Sequence, residues 1–385
     1  MKNRISTLNC HLPIANSRGG FTLIELLIGG SIMLLIICGV LSMYVKSNKT
    51  SVDHQQFAEL QHDVRSVMFF ISKDVRSAGV GLSVVFCGCF LEGVDNESQT
   101  GEVTPDRLRI LGNIEDPLTL KIANYQGAAA NVALADYSFE RNPYANSYYE
   151  DRIALILPDP KKTCRLGEIR EITHVTHDEV GTNEKLNFSP GLSQDFNPPG
   201  GLSGTCSDSN DYDGGTITFI EVREYWLDVT GNYPGLNPGE DGYIGNGIGG
   251  VLYLTQNGLH YPLARNIENL QFQYNGDLDD DGTLDGFVDW NNDWTVNLDD
   301  DQPIKQDKWE LISRIRQVRI WVLGRTENPF VSRSGTPSSN IHLYRRPVVA
   351  NTLAASQDDR HRRFLLETTA NIRNMSLNIY SDGTR

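Results

Sequence analysis

The segment from residue 21 to residue 45, FTLIELLIGGSIMLLIICGVLSMYV, contains one charged residue, Glu25. As a helix it would be about 37 Å long, enough to cross a bilayer with some tilt. Lys2, Arg4 and Arg18 precede it without any acid. This basic flank predicts an N-terminus that stays on the cytoplasmic side. The segment constrains the fold strongly, because the rest of the chain must fold outside the membrane at the end of a helix.

Two small residues, Gly19 and Gly20, come before the apolar segment. A secretory signal has the opposite order, with its small-residue cleavage site after the apolar core. Cleavage after Gly20 would remove residues 1–20 as a leader and keep the membrane helix. The order of these features therefore favours a processed chain that remains anchored.

The stretch RGGFTLIELL resembles the type IV prepilin signature, with Gly20 before the cut and Phe21 as the first mature residue. The resemblance implies that a prepilin peptidase cleaves after Gly20 and methylates the amine of Phe21. It also implies that Glu25 pairs with the N-terminal amine of a neighbouring subunit and sets the register of assembly. The alternative role for Glu25 is a carboxylate that reaches the lipid headgroups from near the helix end.

The helix is predicted to continue as an amphipathic helix over residues 46–79, because apolar residues recur there every three or four positions. Gly79 suits its C-cap. Residues 80–385 then show short β-rich runs separated by long glycine-, proline- and asparagine-rich stretches. The predicted fold class is α+β, with one elaborated head. The expected strands lie at 108–111, 152–157, 217–227, 251–255, 270–274 and 315–323.

Four further stretches resemble the PilW family of type IV pilus minor pilins: ISKDVRSAGVG, NIENLQFQYNGDLDDDG, RIRQVRIWVLGRTENP and RRFLLETTANIRN. The resemblance implies a pilin-like fold, in which the long helix packs on an antiparallel β headgroup. It also implies a role in priming pilus assembly, within a minor-pilin complex at the tip. The implied partners are other minor and major pilins. The J-type pseudopilin of type II secretion is similar and gives the alternative function.

The run DLDDDGTLDGFVDWNNDWTVNLDDD, residues 277–301, holds ten aspartates and no basic residue. Its first half has oxygen-bearing residues at alternating positions and a glycine for the sharp turn, as in calcium loops. Hard oxygen ligands select calcium over zinc or copper. The predicted ligands are Asp277, Asp279, Asp281, Thr283 and Asp285, with Asp289 one position after the usual last ligand.

A second, weaker copy of this pattern follows, with tryptophan where the first has glycine. Its candidate ligands are Asn291, Asp293, Thr295, Asn297 and Asp300. The alternative for both copies is a solvated acidic loop, which is the common fate of a charge run. A calcium-binding head that acts as an adhesin is a third functional alternative.

Four cysteines lie beyond the membrane segment: Cys87, Cys89, Cys164 and Cys206. In an oxidising bacterial envelope they are expected to form disulfides. Cys87 and Cys89 are too close in sequence to bridge each other easily, so each is expected to pair with Cys164 or Cys206. A four-cysteine zinc site is the alternative.

A net charge of −15 argues against direct nucleic-acid binding. No serine, cysteine or histidine stands in a recognisable nucleophile context, so an enzyme is not expected. The expected location is the bacterial inner membrane, with a single span and a periplasmic head, followed by the pilus on the cell surface.

Overall fold

A single helix, α1 (Leu23–Ser77), begins the described chain. The computed structural model divides the chain into two compact units, Met1–Gln55 and Gln56–Arg385. The described residues are 20–81, 90–95, 105–114, 118–126, 131–135, 139, 148–162, 167–177, 184–188, 209–228, 250–256, 258–277, 283–290, 312, 314–327, 344–350 and 361–372.

Within the first unit, the side chains of α1 are exposed along the apolar segment. α1 is the one helix among the described residues that is long and apolar enough to span a membrane. An apolar helix that buries nothing within its own unit needs lipid or other helices around it. By length and composition, α1 is therefore a candidate single-pass membrane anchor.

The second unit contains thirteen strands among the described residues. They are β1 (Leu91–Val94), β2 (Arg107–Gly112), β3 (Thr119–Gln126), β4 (Asn131–Leu134), β5 (Ile153–Leu157), β6 (Glu168–Glu171), β7 (His174–Thr176), β8 (Lys185–Asn187), β9 (Thr216–Asp228), β10 (Gly250–Gln256), β11 (Leu259–Gly276), β12 (Ile315–Arg325) and β13 (Arg363–Asn371). Every strand pairing is antiparallel. The α+β class and all six expected strands are confirmed.

The long strand β9 joins two parts of the sheet. Its C-terminal half pairs with β2 and β10, and β10 leads on to β11, β12 and β13. Its N-terminal half pairs with β3 and β5, which lead on to the shorter strands β4, β6, β7 and β8. Two large clusters of buried apolar side chains pack on the sheet, and alternate residues of β5 contribute to one or the other. β9 also contributes side chains to both clusters and so joins the two cores.

The C-terminal portion of α1 packs on the first of these cores. Its buried residues repeat at helical spacing and include Leu60, Val64, Ile71 and Val75. The helix approaches β12 closely at Gly324, where a Cβ would lie 2.6 Å from the Leu60 side chain. The predicted amphipathic face is therefore the packed face, and the helix ends at Ser77, close to the predicted cap.

A buried ion pair ties this helix to β9. The Arg223 Nη1 atom donates to Asp74 Oδ1 at 2.8 Å, and the Tyr225 hydroxyl donates to Asp74 Oδ2 at 2.6 Å. Burial, and then the Asp74 carboxylate, raise the pKa of Tyr225 well above its usual range, so the phenol stays protonated and can donate. Both carboxylate oxygens are thus satisfied away from water, as a buried charge requires.

We expect Asp74→Ala to lower the free energy of unfolding by about 3–5 kcal/mol, because it leaves the Arg223 charge buried without its partner. Urea unfolding of the full chain in detergent, followed by tryptophan fluorescence, measures the change. Asp63→Ala is the control, since the Asp63 side chain is 46% exposed and faces only the exposed His62 at 3.7 Å. Its effect should stay within about 0.5 kcal/mol. Equal losses in both variants would contradict a structural role for the ion pair.

Candidate functional site

The start of α1 forms a capping box. The Thr22 backbone N–H and hydroxyl both donate to Glu25 Oε2 at 2.9 Å, and the Glu25 N–H approaches the Thr22 hydroxyl oxygen at 3.4 Å. A threonine followed three residues later by glutamate, ahead of an apolar run, is the sequence signature of this cap. This capping role of Glu25 is additional to its predicted role in assembly, and the spacing of Thr22 and Glu25 in the sequence could have revealed it.

The predicted processing site lies beside this cap. Gly20 has no heavy atom near its Cβ position, and Phe21 is 87% exposed. No cation among the described residues pairs with Glu25. Gly20, Phe21 and Glu25 therefore lie together at the exposed end of an apolar helix. A peptidase could reach such an end, and so could the amine of another chain.

We expect Thr22→Val to loosen the first turn of α1, because it removes the side-chain donor and acceptor of the cap, worth about 0.5–2 kcal/mol. Amide hydrogen exchange of residues 23–26 should quicken in detergent micelles. Thr50→Val is the matched control, since the Thr50 hydroxyl bonds the Lys46 carbonyl at 3.0 Å within the helix and leaves the cap intact. Equal exchange rates for residues 23–26 in both variants would contradict the cap.

The aspartate run begins where β11 ends, and its first half returns to that strand. Tyr274 and Val288 exchange two backbone hydrogen bonds of 2.8 and 2.9 Å, and the Asp285 N–H donates to the Gly276 carbonyl at 3.0 Å. β11 can accept this segment because β10 pairs with it only as far as Ile267. The chain on both sides of residues 278–282 is therefore held against one strand.

Side chains hold the returning segment on both faces of the sheet. The Arg319 guanidinium lies 3.6 Å from the centre of the Phe287 ring, and Gln273 donates to Asp289 Oδ1 at 2.9 Å. On the other face Trp290 is buried against Tyr274, with ring centres 4.9 Å apart. These contacts attach residues 287–290 to the sheet.

The surroundings of Tyr274 are acidic. Burial contributes most to raising its pKa well above the usual range, and the carboxylates of Asp106, Asp95, Glu92 and Asp289 add to this effect in that order. The phenol therefore stays neutral. The negative charge near this end of the sheet extends beyond the aspartate run itself, which would favour a cation in the neighbourhood.

The structure describes part of the predicted calcium site. Asp277, Thr283, Asp285 and Asp289 are described, whereas Asp279 and Asp281 lie outside the described residues. Asp289 accepts a hydrogen bond from the sheet through Gln273. Within the described part of the chain, no three His, Cys, Asp or Glu side chains are grouped to hold a metal. The whole second ligand set, Asn291, Asp293, Thr295, Asn297 and Asp300, also lies outside the described residues.

The predicted disulfide cysteines Cys87, Cys89, Cys164 and Cys206 lie outside the described residues as well. Cys38 is a free, exposed thiol on the apolar part of α1. The pairing of the four head cysteines therefore stays a prediction.

The strands around the aspartate run are joined by a bidentate ion pair. Arg363 on β13 donates to both carboxylate oxygens of Glu268 on β11, at 2.6 and 2.9 Å, and also bonds the Tyr344 carbonyl at 3.3 Å. The fork geometry of arginine suits such a two-oxygen contact. It ties the outermost described strand of the sheet to a strand two positions away.

A comparison with known protein families matches the region that contains β11, β12 and β13. The family model described as Type IV Pilus-assembly protein W matches residues 254–374, which include β11, β12, β13 and the aspartate run. No curated protein and no solved structure matches the chain. The match includes three of the four stretches on which the PilW resemblance was based. It confirms the predicted resemblance over residues 254–374: this part of the chain is similar to a family described by its role in type IV pilus assembly.

Proposed function

We propose that the protein is a minor pilin that takes part in initiating type IV pilus assembly, as a subunit of a minor-pilin complex at the pilus tip. The observation that carries the proposal is the PilW match combined with the exposed apolar helix α1, which begins two residues after Phe21. The head is held in the periplasm by a single span in the inner membrane. It later reaches the cell surface with the pilus. Its work is assembly, without catalytic turnover.

Processing prepares the helix for this role. A prepilin peptidase would cleave after Gly20 and leave the Phe21 amine next to the exposed end of the helix. A carboxylate within a bilayer costs about 2–3 kcal/mol or more. Pairing Glu25 with the Phe21 amine of a neighbouring subunit would remove this cost only when the two helices are in the correct register. Other minor and major pilins are therefore the partners.

We expect deletion of the gene to abolish surface pili, and the full chain supplied in trans to restore them. Glu25→Gln should restore few or none, because it removes the charge that the neighbouring amine would neutralise. Glu59→Gln is the control, since Glu59 lies on the exposed surface of the same helix beyond the apolar segment. Pili counted by electron microscopy, alongside secreted protein, give the measurement. Normal pili with failed secretion would instead identify a type II pseudopilin.

We further propose that residues 277–289 bind one calcium ion. The alternating oxygen-bearing residues support this proposal. The backbone hydrogen bonds from Asp285 to Gly276 and between Val288 and Tyr274 also support it, because they bring the chain back to the end of β11. Asp279, Asp281 and Thr283 would complete the ligand set, and the ion would offset the repulsion between their carboxylates. The second pattern would hold a second ion, with weaker support because it lacks the glycine.

We expect isothermal titration calorimetry of the full chain in detergent to show calcium binding that Asp279→Ala with Asp281→Ala abolishes. Calcium should also slow amide exchange in residues 283–290, because the ion would order the loop that joins them to β11. Asp63→Ala, outside the run, should bind as the unaltered chain does. Binding that is unchanged in the double variant would contradict the site. A deletion that leaves normal pili but abolishes calcium-dependent adhesion would favour the adhesin alternative.

A further inference from the structure

A row of side-chain amides crosses the sheet from the aspartate run to the outermost described strand. The Gly286 N–H donates to Asn275 Oδ1 at 3.0 Å, and Asn275 Nδ2 donates to Gln317 Oε1 at 3.0 Å. Gln317 Nε2 then donates to Asn371 Oδ1 at 3.1 Å. We call Asn275 on β11, Gln317 on β12 and Asn371 on β13 the amide row. Gly286 belongs to the segment that returns to β11, so the row begins at the aspartate run.

The strand register places the three amides side by side. Asn275 is opposite Gln317, and Gln317 is opposite Asn371. Neighbouring strands are about 4.8 Å apart, so the row spans about 10 Å across the sheet. It lies on the face away from the apolar cluster that includes α1, because the adjacent residues Tyr274 and Val318 belong to that cluster.

The backbone connection between β11 and β12 is irregular beside the row. Asn275 is opposite Gln317, whereas the next residue, Gly276, is opposite Ile315. Such a bulge disrupts the ladder of backbone hydrogen bonds locally. Side chains therefore carry more of the connection between the strands here than they do in a regular ladder.

All three hydrogen bonds of the row run in one direction. A carboxamide has an oxygen on one side and an NH₂ group of nearly the same shape on the other, so it can turn over and exchange acceptor for donor. In a row, all members must turn together, because two oxygens or two NH₂ groups that face each other form no bond. The row therefore has two allowed directions, and bonds aligned in one direction strengthen one another. The Gly286 N–H cannot turn over, so it selects the direction in which Asn275 presents its oxygen.

The far end of the row lies on an exposed strand end. β13 is the outermost described strand, and Asn371 is its last residue and is exposed. Strand ends open locally at low cost in free energy, so one additional bond there changes their order measurably. We propose that the attachment of the aspartate run to β11 controls the order of the end of β13 through the amide row. Calcium in the run would then order this edge as well, and this part of the inference rests on the proposed calcium site.

Two glycine variants of the full chain in detergent test the row. Gly286 and Gly258 both have a positive φ, of +105° and +82°, and no heavy atom near the Cβ position. Alanine strains the backbone at both positions, but Gly258 lies in the turn between β10 and β11, away from the row. We expect Gly286→Ala to quicken amide exchange of residues 366–372 about three-fold or more, and Gly258→Ala to leave it unchanged. Equal effects of the two variants, or none, would overturn the proposal.

A variant in the middle of the row separates it from the backbone route. Gln317→Glu still accepts from Asn275, but its carboxylate cannot donate to Asn371. In this background Gly286→Ala should no longer quicken exchange of residues 366–372. Asn371→Ala, at an exposed position, should have the same consequence if Gln317→Glu disturbs folding. Gln126→Glu, a matched change at the exposed end of β3, should leave the effect of Gly286→Ala intact. An effect that persists in both row variants would assign the coupling to the backbone and overturn the proposal.

Calcium tests the regulatory part. In the unaltered chain, calcium should slow exchange both in residues 283–290 and in residues 366–372. In Gln317→Glu, it should slow exchange in residues 283–290 alone. Calcium that binds by calorimetry and slows residues 283–290 without slowing residues 366–372 in the unaltered chain would overturn the inference. Calorimetry that shows no binding would reject the calcium site itself, and the glycine variants would still decide whether the row couples the run to β13.

Discussion

The position of the helix on the sheet depends on one buried carboxylate. Asp74 lies among apolar neighbours on the packed face of α1 and accepts from Arg223 and Tyr225, which are neighbours on one face of β9. Sliding the helix by one turn would move the carboxylate about 5.4 Å and leave buried charges apart. Apolar packing alone tolerates such slips more readily, because hydrophobic contacts are not directional. The ion pair therefore specifies the register of helix and strand, and apolar burial supplies most of the stability.

The helix position also determines which residues remain available outside. Once Asp74, Val64 and Ile71 face the sheet, the helical repeat directs Phe69 and Lys73 to the opposite side. Strand lengths determine in a similar way where the aspartate run attaches. β11 extends beyond the last residue with which β10 pairs, and the segment around Val288 pairs with this exposed edge. The aspartate run therefore begins and returns at a strand whose position the rest of the sheet determines.

The sequence predicted those elements whose signal is local. The helical spacing of the apolar residues identified α1 and its C-terminal end. Runs rich in β-forming residues identified β2, β5, β9, β10, β11 and β12. The sequence did not reveal that Asp74 pairs with Arg223, because 149 residues separate them and nothing local marks the partner. Short strands such as β4 and β7, with four and three residues, were not predicted. So few positions cannot establish the alternation of apolar and polar residues that indicates a strand. The return of the aspartate run to β11 was also missed, since pairing along a strand edge depends on where its neighbour ends.

The cap at the start of α1 changes how assembly should be understood. Thr22 already supplies two donors to Glu25 within one chain, so a neighbouring amine must compete with an interaction of about 0.5–2 kcal/mol. If the Phe21 amine of a neighbouring subunit pairs with Glu25, as proposed, the net gain is the difference between the new ion pair and the cap that it replaces. The cap therefore reduces what Glu25 can add to binding, and it reduces by the same amount what Glu25 can add to discrimination between registers. Under this proposal, affinity must come from extended contacts elsewhere, along the apolar helix and across the surface of the head.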